Sequence, residues 1–365
     1  MKKNRISFCT VCMNRIEHLK QTLPKNIEDN IAYGNLEFLL LDYNSKDGLE
    51  EWVESEMKEY IDKGILHYYK TTEPEYFHRS HSRNMIIKKA TGDIVCNIDA
   101  DNYTGKLFAS YINNQFNEDS NIILGIDVVL QSKHAQAHGK FCAWKKDFLD
   151  VTGYDEAMHS YGYEDLDLNN RLELLGRKRF SIDNLFLTYI SHGNKERSEN
   201  EVLTASLEKF LINYIDEFNT EIILLLKNNK FEKFKLKPPE NGNSFNVMVM
   251  VDGDSFKLGK WHEDGLNISL QYQKDDSAEM LLHTYEANEF FFILQEPQSS
   301  INTIKKFNHL THDHFIDNFM IGFSRIVNLE KYQKNIAANT PAVNKHEIGK
   351  GLLYKNFEHK LLLNV

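Results

Sequence analysis

Two short acidic groups and a handful of basic side chains are the parts of this sequence able to do chemistry. Asp99-Ala-Asp101 closes the apolar run that starts at Asp93-Ile-Val-Cys. On an extended backbone, residues two apart face the same side. Two carboxylates so placed can hold one hard divalent cation, or one can ligate while the other orients ribose or water. The plain alternative is an Asx-type turn that ends a strand. Asn97 and Asn102 flank the pair and make the segment strongly polar. Glu164-Asp165-Leu-Asp167 follows Tyr161-Gly-Tyr163 and precedes Leu168, Leu172 and Leu175 at helical spacing. Carboxylates in a helix's first turn are stabilised by the backbone dipole; equally, one of them can serve as a general base in a cleft. His192, at the end of Phe186-Leu-Thr-Tyr-Ile-Ser191, is either an ordinary surface histidine or one that completes a metal shell. His78, Arg79, His81 and Arg83 form a basic cluster before a helix. Two arginines in one such segment suit diphosphate or carboxylate partners, and a solvated helix start is the alternative.

Other candidates fall away. Cys9-x-x-Cys12 lies inside a strand, three apart and so on opposite faces, and no second pair exists to complete a zinc or redox motif. His309-x-x-His312-x-His314 has no clear strand or helix to frame it. Trp144 is expected to be half core and half ligand wall.

The elements that must position these groups alternate. Arg5 to Cys12, Leu36 to Asp42, Ile65 to Lys70 and Asp93 to Asp99 read as strands; Asn14 to Thr22, Leu49 to Ile61 and Ser82 to Lys89 read as helices. Strands alternating with helices at this spacing argue for βαβ units and a mainly parallel sheet. Ligands of such sheets bind beyond the carboxyl ends of the strands, which makes Thr10 to Arg15, Asp42 to Asp47 and Asp99 to Asn102 the first suspects.

The chain has 365 residues, net charge −10 and 41% apolar residues, enough for about two domains with substantial cores. The expected division is a catalytic domain over 1–200, a helical segment and linker over 201–240, and an accessory domain over 241–365, with Pro238-Pro239 and Gly242 marking the linker within Lys235 to Ser244. Glu201 to Lys230 reads as one or two helices, and the last part as a smaller β-rich or α+β domain. The acidity argues against nucleic-acid binding. No run approaches the ~20 apolar residues of a membrane span, and four cysteines make no disulfide framework. A soluble, cytoplasmic protein is expected, with peripheral membrane association still open.

Taken in order, Cys9-Thr-Val-Cys-Met-Asn-Arg15, Leu41-Asp-Tyr-Asn-Ser-Lys-Asp-Gly48, Ser82-Arg-Asn84, Ala90-Thr-Gly-Asp93, Asn97-Ile-Asp-Ala-Asp-Asn102, Phe141-Cys-Ala-Trp-Lys-Lys-Asp147, Thr152-Gly-Tyr-Asp-Glu156 and Gly162-Tyr-Glu-Asp-Leu-Asp167 form a recognisable series. It resembles the nucleotide-sugar glycosyltransferases of the Rossmann-like GT-A fold, family 2 above all, with a second motif of the galactosyltransferase type. The match covers about residues 4–195. The resemblance implies that Asp42, Thr10 and Arg15 line the nucleoside pocket, and that Arg83 and Arg79 face the diphosphate. It implies that Asp99 and Asp101 are the D-x-D motif, with Asp101, His192 and Asp99 around the metal and Asp101 its foremost direct ligand. Glu164 would hold the acceptor sugar and Asp165 would be the general base of an inverting enzyme. Tyr161-Gly-Tyr163 departs from the Trp-Gly-Gly of many relatives.

The implied cofactor is manganese, or magnesium. The implied donor is a UDP-sugar (UDP-galactose, UDP-N-acetylgalactosamine or UDP-glucose), and the acceptor a saccharide or lipid-linked glycan of bacterial-type surface polysaccharide or glycoconjugate synthesis. Two other readings compete. A sugar nucleotidyltransferase usually opens with a Gly-rich loop, and Cys9 to Arg15 has no glycine. A glycan-binding protein with a decayed transferase fold would lack the acidic residues, and they are present.

Overall fold

The computed structural model describes residues 2–127, 131–159, 161–217, 219–237, 250–265, 267–274, 277–284, 289–293, 304–358 and 363–364. The expected linker residues Pro238-Pro239 and Gly242 lie outside them. The chain divides into two compact units, Met1–Gly193 with Asn328–Val365, and Asn194–Val327.

The first unit begins with β1 (Ile6–Cys12), α1 (Ile16–Asn30), β2 (Leu36–Tyr43), α2 (Leu49–Glu56), α3 (Lys58–Asp62), β3 (Leu66–Thr71), α4 (Arg79–Lys89) and β4 (Ile94–Asn97). It continues through α5 (Phe108–Glu118), β5 (Ile122–Gly125), β6 (Phe141–Trp144), α6 (Lys145–Asp150), α7 (Glu164–Leu174) and β7 (Lys178–Ser181). These strands are the core of a nine-stranded sheet. β1 pairs in parallel with β2 and β4, β2 with β3, and β5 with β7; β6 runs antiparallel between β4 and β5. The mainly parallel α/β sheet is thus the one the sequence predicts. Both faces are covered, as a continuous apolar strand requires. Phe8, Leu40 and Cys96 face one core, and Cys9, Leu39 and Val95 the other. Cys9 and Cys12 fall in opposite cores and are free, as their three-residue spacing dictates.

α1 outruns its expected end at Thr22 and passes through Pro24 to Asn30. Its buried face explains why. Thr22 and Asn26 bond the backbone of Ala100 and Asn102. Asn30 donates to Thr104 and accepts from the Ala109 N–H. Three residues spaced by four lie on one helix face, and here they tie that face to the segment beyond β4. These bonds offset the backbone hydrogen bond lost at the proline.

The second unit carries α8 (Asn194–Ser198), α9 (Val202–Ser206), β8 (Leu207–Tyr214), β9 (Thr220–Leu226), β10 (Lys230–Lys237), β11 (Met250–Asp264), β12 (Asn267–Tyr272), β13 (Ala278–Thr284), β14 (Glu289–Ile293) and β15 (Ile304–Leu310). Strands β8 to β15 close into a barrel. Glu201 to Lys230, expected to be helical, therefore forms mostly strand. The run Glu221-Ile-Ile-Leu-Leu-Leu226 has no helical period, because one face of β9 enters the barrel core with Ile223 and Leu225 while Ile222, Leu224 and Leu226 face a second core. That second core is closed by the first half of α10 (Asp313–Ala338), where Phe323 stacks on Phe234 with centroids 4.5 Å apart. The β-rich part is the second unit, which begins at Asn194 and ends at Val327.

From Asn328 onward the chain belongs again to the first unit. β16 (Leu352–Lys355) adds to β3 antiparallel and pairs with β17 (Leu363–Asn364).

Candidate functional site

The loops beyond the carboxyl ends of β1 and β2 are laced together. Asn14 and Asn44 sit at φ +55° and +61°, a left-handed turn that asparagine tolerates better than most residues. The Asn14 N–H donates to Ser45 Oγ, the Lys46 N–H to Asn14 Oδ1, and the Ile16 N–H to Asp47 Oδ2. Asp47 thereby satisfies one of the free N–H groups that open α1, and Arg15 caps that helix. Asp42 lies fully buried at the base of the loop. Its carboxylate accepts from the Ser45 N–H at 2.7 Å and from Tyr68 Oη at 2.8 Å, with Lys70 Nζ at 3.7 Å. Burial raises its pKa against those bonds. Thr10 is buried within β1 itself, two residues before the strand's end.

Beyond β4 the chain turns through Asp99-Ala-Asp101 and then pairs with a distant segment. The Tyr103 N–H donates to the Thr188 carbonyl at 2.9 Å, and the Ile190 N–H to the Asp101 carbonyl at 2.8 Å, around a bridge between Asn102 and Tyr189. This short ladder carries His192 to Asp101. Nε2 of His192 lies 2.7 Å from Asp101 Oδ2, and Nδ1 faces the Gly193 carbonyl at 3.3 Å. The Gln136 amide grips the His192 backbone from both sides, and Asn102 donates to the other Asp101 oxygen. One carboxylate oxygen and one imidazole nitrogen, side by side and partly exposed, are a donor pair that fits manganese. A hydrogen bond on the second ring nitrogen is the usual way a ligating imidazole is oriented. Asp99 is turned elsewhere, toward Asn97 and Arg83.

Arg83, on α4, is the hub of the site. Its guanidinium is almost fully buried and donates to Asp99 Oδ1 and to Asp165 Oδ1, each at 2.9 Å. The Tyr154 ring lies 5.2 Å below it. Burial pushes the Asp99 carboxyl up, but the charge and hydrogen bond of Arg83 more than reverse that and hold it below the usual range. Asp165 goes the other way. Burial raises it, Glu164 and Asp99 add to the effect, Arg83 offsets only part, and it is pushed up to about 7.

The acidic loop enters α7 through Tyr163 at φ +69°, an uncommon conformation for a bulky residue. Tyr163 stacks near Tyr332, centroids 5.4 Å apart, and Asn328 donates to the Gly162 carbonyl. Asn335 donates to both Asp155 and Asp167. Asp167 pairs with buried Arg171 and so belongs to the framework. Glu164 is buried 3.7 Å from both Arg79 Nε and Arg83 Nη1, and its Oε2 has no hydrogen-bond partner among the described residues. Arg79 lies over the Tyr161 ring at 5.0 Å.

Sequence reasoning missed four features. Asn328, Tyr332 and Asn335, far along the chain, hold the acidic loop. His18, one turn into α1, lies 5.8 Å from the His192 ring. Gly139 packs so close to Asp99 and Arg83 that a Cβ would collide with both. The fourth is Lys140, taken up below. The spacing of four along α1 was the one available signal for any contact to the D-x-D turn. Trp144, expected to be half core and half ligand wall, does pack against the core, but it pairs with Ile94 at the opposite end of β4 and its indole N–H donates to the Ser120 carbonyl. An antiparallel β6 reverses the direction that a parallel strand would have given.

Residues 7–152 match the family model of glycosyl transferase family 2, and residues 127–192 match that of the N-terminal domain of galactosyltransferase. No curated protein matches the chain. Among solved structures, it is similar to a mannosyltransferase, PcManGT, from Pyrobaculum calidifontis in complex with GDP-Man and Mn2+. The identity is 18% and the TM-score 0.42, over 51% of this chain and 56% of that one. It is also similar to residues 1–349 of S. aureus TarS in complex with UDP. Here the identity is 16% and the TM-score 0.41, over 49% of this chain and 58% of that one. The chain thus spans a little more than half the length of these two structures.

Proposed function

From the match of residues 7–152 to glycosyl transferase family 2 and of residues 127–192 to the N-terminal domain of galactosyltransferase, we propose that the chain transfers a hexose or N-acetylhexosamine from a UDP-sugar to a glycan hydroxyl with inversion. The observation that carries this reading is Arg83, whose one guanidinium joins the first D-x-D carboxylate to Asp165. It sets a carboxylate able to act as base one guanidinium's width from the motif that receives the donor.

Asp101 and His192 would hold manganese, or magnesium. When bound, that ion offsets the charge of the diphosphate and stabilises it as it leaves. The other steps belong to side chains. Asp42 orders the loop against which the nucleoside lies, with Thr10 and Arg15 on its first-strand side. Arg79 is the cation for the diphosphate, since Arg83 is already engaged by two carboxylates. The unpartnered oxygen of Glu164 accepts from an acceptor hydroxyl. Asp165 takes the proton of the attacking hydroxyl, and a carboxyl pushed up to about 7 suits that task near neutral pH. The resulting acid passes its proton to water once the product leaves. The acceptor is a saccharide or a lipid-linked glycan of surface polysaccharide or glycoconjugate synthesis.

Catalysis belongs to the first unit and an accessory role to the barrel. A cytoplasmic site of action agrees with four free, buried cysteines. Among the described residues no helix is long and apolar enough to cross a membrane.

The test is a panel of UDP-galactose, UDP-N-acetylgalactosamine and UDP-glucose with manganese. Melting temperature and UDP release are read for each. At least one donor is expected to raise the melting temperature and to release UDP slowly without acceptor. No stabilisation and no UDP release across the panel would overturn the reading.

A further inference from the structure

We infer that Lys140 is a positioning residue, which fixes the spacing of Asp101 and His192 by acting as a side-chain rung between the two backbone segments that carry them. The inference deepens the proposed function and rests on it for the identity of the bound ion.

Lys140 is fully buried just before β6. Its Nζ donates to the Tyr103 carbonyl at 2.8 Å and to the Phe186 carbonyl, and it faces the Phe108 ring at 5.7 Å. Tyr103 lies two residues after Asp101, and Phe186 two before Thr188. The ladder between these segments has two backbone hydrogen bonds, and so short a pairing is marginal alone. Lys140 adds two bonds across its open end. Gly139, next to it, packs on Asp99, and the Asn97 amide donates to the Gly139 carbonyl. The turn Gly139-Lys140 therefore touches the D-x-D motif on both sides.

The chemistry of a buried ammonium argues the same way. Removing a lysine charge from water is costly unless it is well compensated, and a neutral amide could bond two carbonyls. Burial pushes this ammonium down to about 8, while the charges of Asp99 and Asp101 pull it back up. An ammonium at this position meets two carbonyls, a ring face and the field of the D-x-D carboxylates together. A methionine of similar length would meet none of the polar partners and would leave two buried carbonyls without donors.

Lys140→Met and Lys140→Arg are compared with the wild type and with Val53→Ala, a core truncation on α2 away from the site. Folding is followed by circular dichroism and melting. Amide hydrogen exchange reads the Tyr103 and Ile190 N–H groups. Electron spin resonance titration reads the affinity for manganese ion alone. Lys140→Met is expected to exchange both amides at least tenfold faster and to bind manganese at least tenfold more weakly. Lys140→Arg, which keeps donors and charge, should fall between it and the wild type, and Val53→Ala should stay within twofold. A folded Lys140→Met with unchanged exchange overturns the inference, as does manganese binding that is unchanged or tighter. Failure of both Lys140 variants to fold also overturns it, since the role would then be global. Accelerated exchange in Lys140→Met together with a wild type that binds no manganese would retain the rung and reject the assignment of Asp101 and His192 to manganese.

Discussion

Replacing Arg83 by methionine tests the electrostatics of the site most directly. The guanidinium is almost fully buried and holds Asp99 and Asp165 at 2.9 Å each, with Glu164 at 3.7 Å. Without it, three carboxylates share one partly buried site, and Arg79, 3.7 Å from Glu164, is the cation left beside them. Breaking a buried ion pair from one side costs about 3–5 kcal/mol. At ~2–4 °C per kcal/mol for a domain of this size, the melting temperature should fall by roughly 6–20 °C. The loss should depend on pH. Arg83 lowers the pKa of both aspartates, so its removal raises both in the folded state, and the variant's stability then declines as pH climbs toward the new values. The deficit is therefore smaller at pH 5, where a proton replaces the lost cation, than at pH 8. Activity should move in step. The rise of kcat/KM with pH, set by Asp165 at about 7 in the wild type, should shift upward by roughly 1–3 pH units, the usual effect of an adjacent arginine. Adding Asp99→Asn should recover part of the stability at pH 8 by removing one uncompensated charge. The assays are thermal melts at several pH values and a pH–rate profile of UDP release with acceptor. A limb that stays near 7 in a folded variant would refute the account of Arg83 as the group that tunes Asp165.

Asp165→Asn should lower transfer by about 10²–10⁴-fold, the range for losing a general base, while UDP binding measured by calorimetry is retained. A carboxyl that is raised in the folded state contributes stability at low pH that is lost as pH rises through about 7, so this variant should gain on the wild type between pH 5 and 8. Asp101→Ala and His192→Ala should each abolish the manganese-dependent part of UDP affinity, and adding a chelator to the wild type should give the same curve. His78 is pushed down to about 3 by burial and by the neighbouring His159 and His81. Stability held by a depressed histidine is lost as pH falls from the unfolded value of ~6.5 toward 3. His78→Asn, which can still cap α4, should therefore flatten the drop in melting temperature between pH 7 and 4.

Much of the first unit is legible because its signals are local. Apolar runs in β1, β2 and β4, polar turns after them and a helix start at Glu164 carry their own period and punctuation. The D-x-D turn and its histidine could be named from type and order, because strand-end position alone limits where such groups point. What joins them is less visible. Arg83 reads as a cation for phosphate, and only the folded chain pairs it with two carboxylates. Lys140 and Asn328 act on backbone carbonyls tens to hundreds of positions away, and a residue that bonds a carbonyl leaves no periodic trace. The barrel was misread where Glu201 to Lys230 looked helical: leucine-rich strands covered on both faces lose the alternation that marks a strand. Trp144 was misplaced for another reason, since nothing in its neighbourhood announces that β6 runs against its neighbours.

The polar face of α1 has a consequence for how this protein can change. Thr22, Asn26 and Asn30 are keyed to fixed points on the segment from Ala100 to Ala109. Inserting one residue between Asn26 and Asn30 would swing the latter about 100° around the axis, away from Thr104 and Ala109. The length of that helix is thus as constrained as any carboxylate in the cleft, although none of its three keyed side chains need ever touch a sugar. Natural variants should accordingly tolerate insertions after Asn30, in the turn leading to β2, and reject them before it.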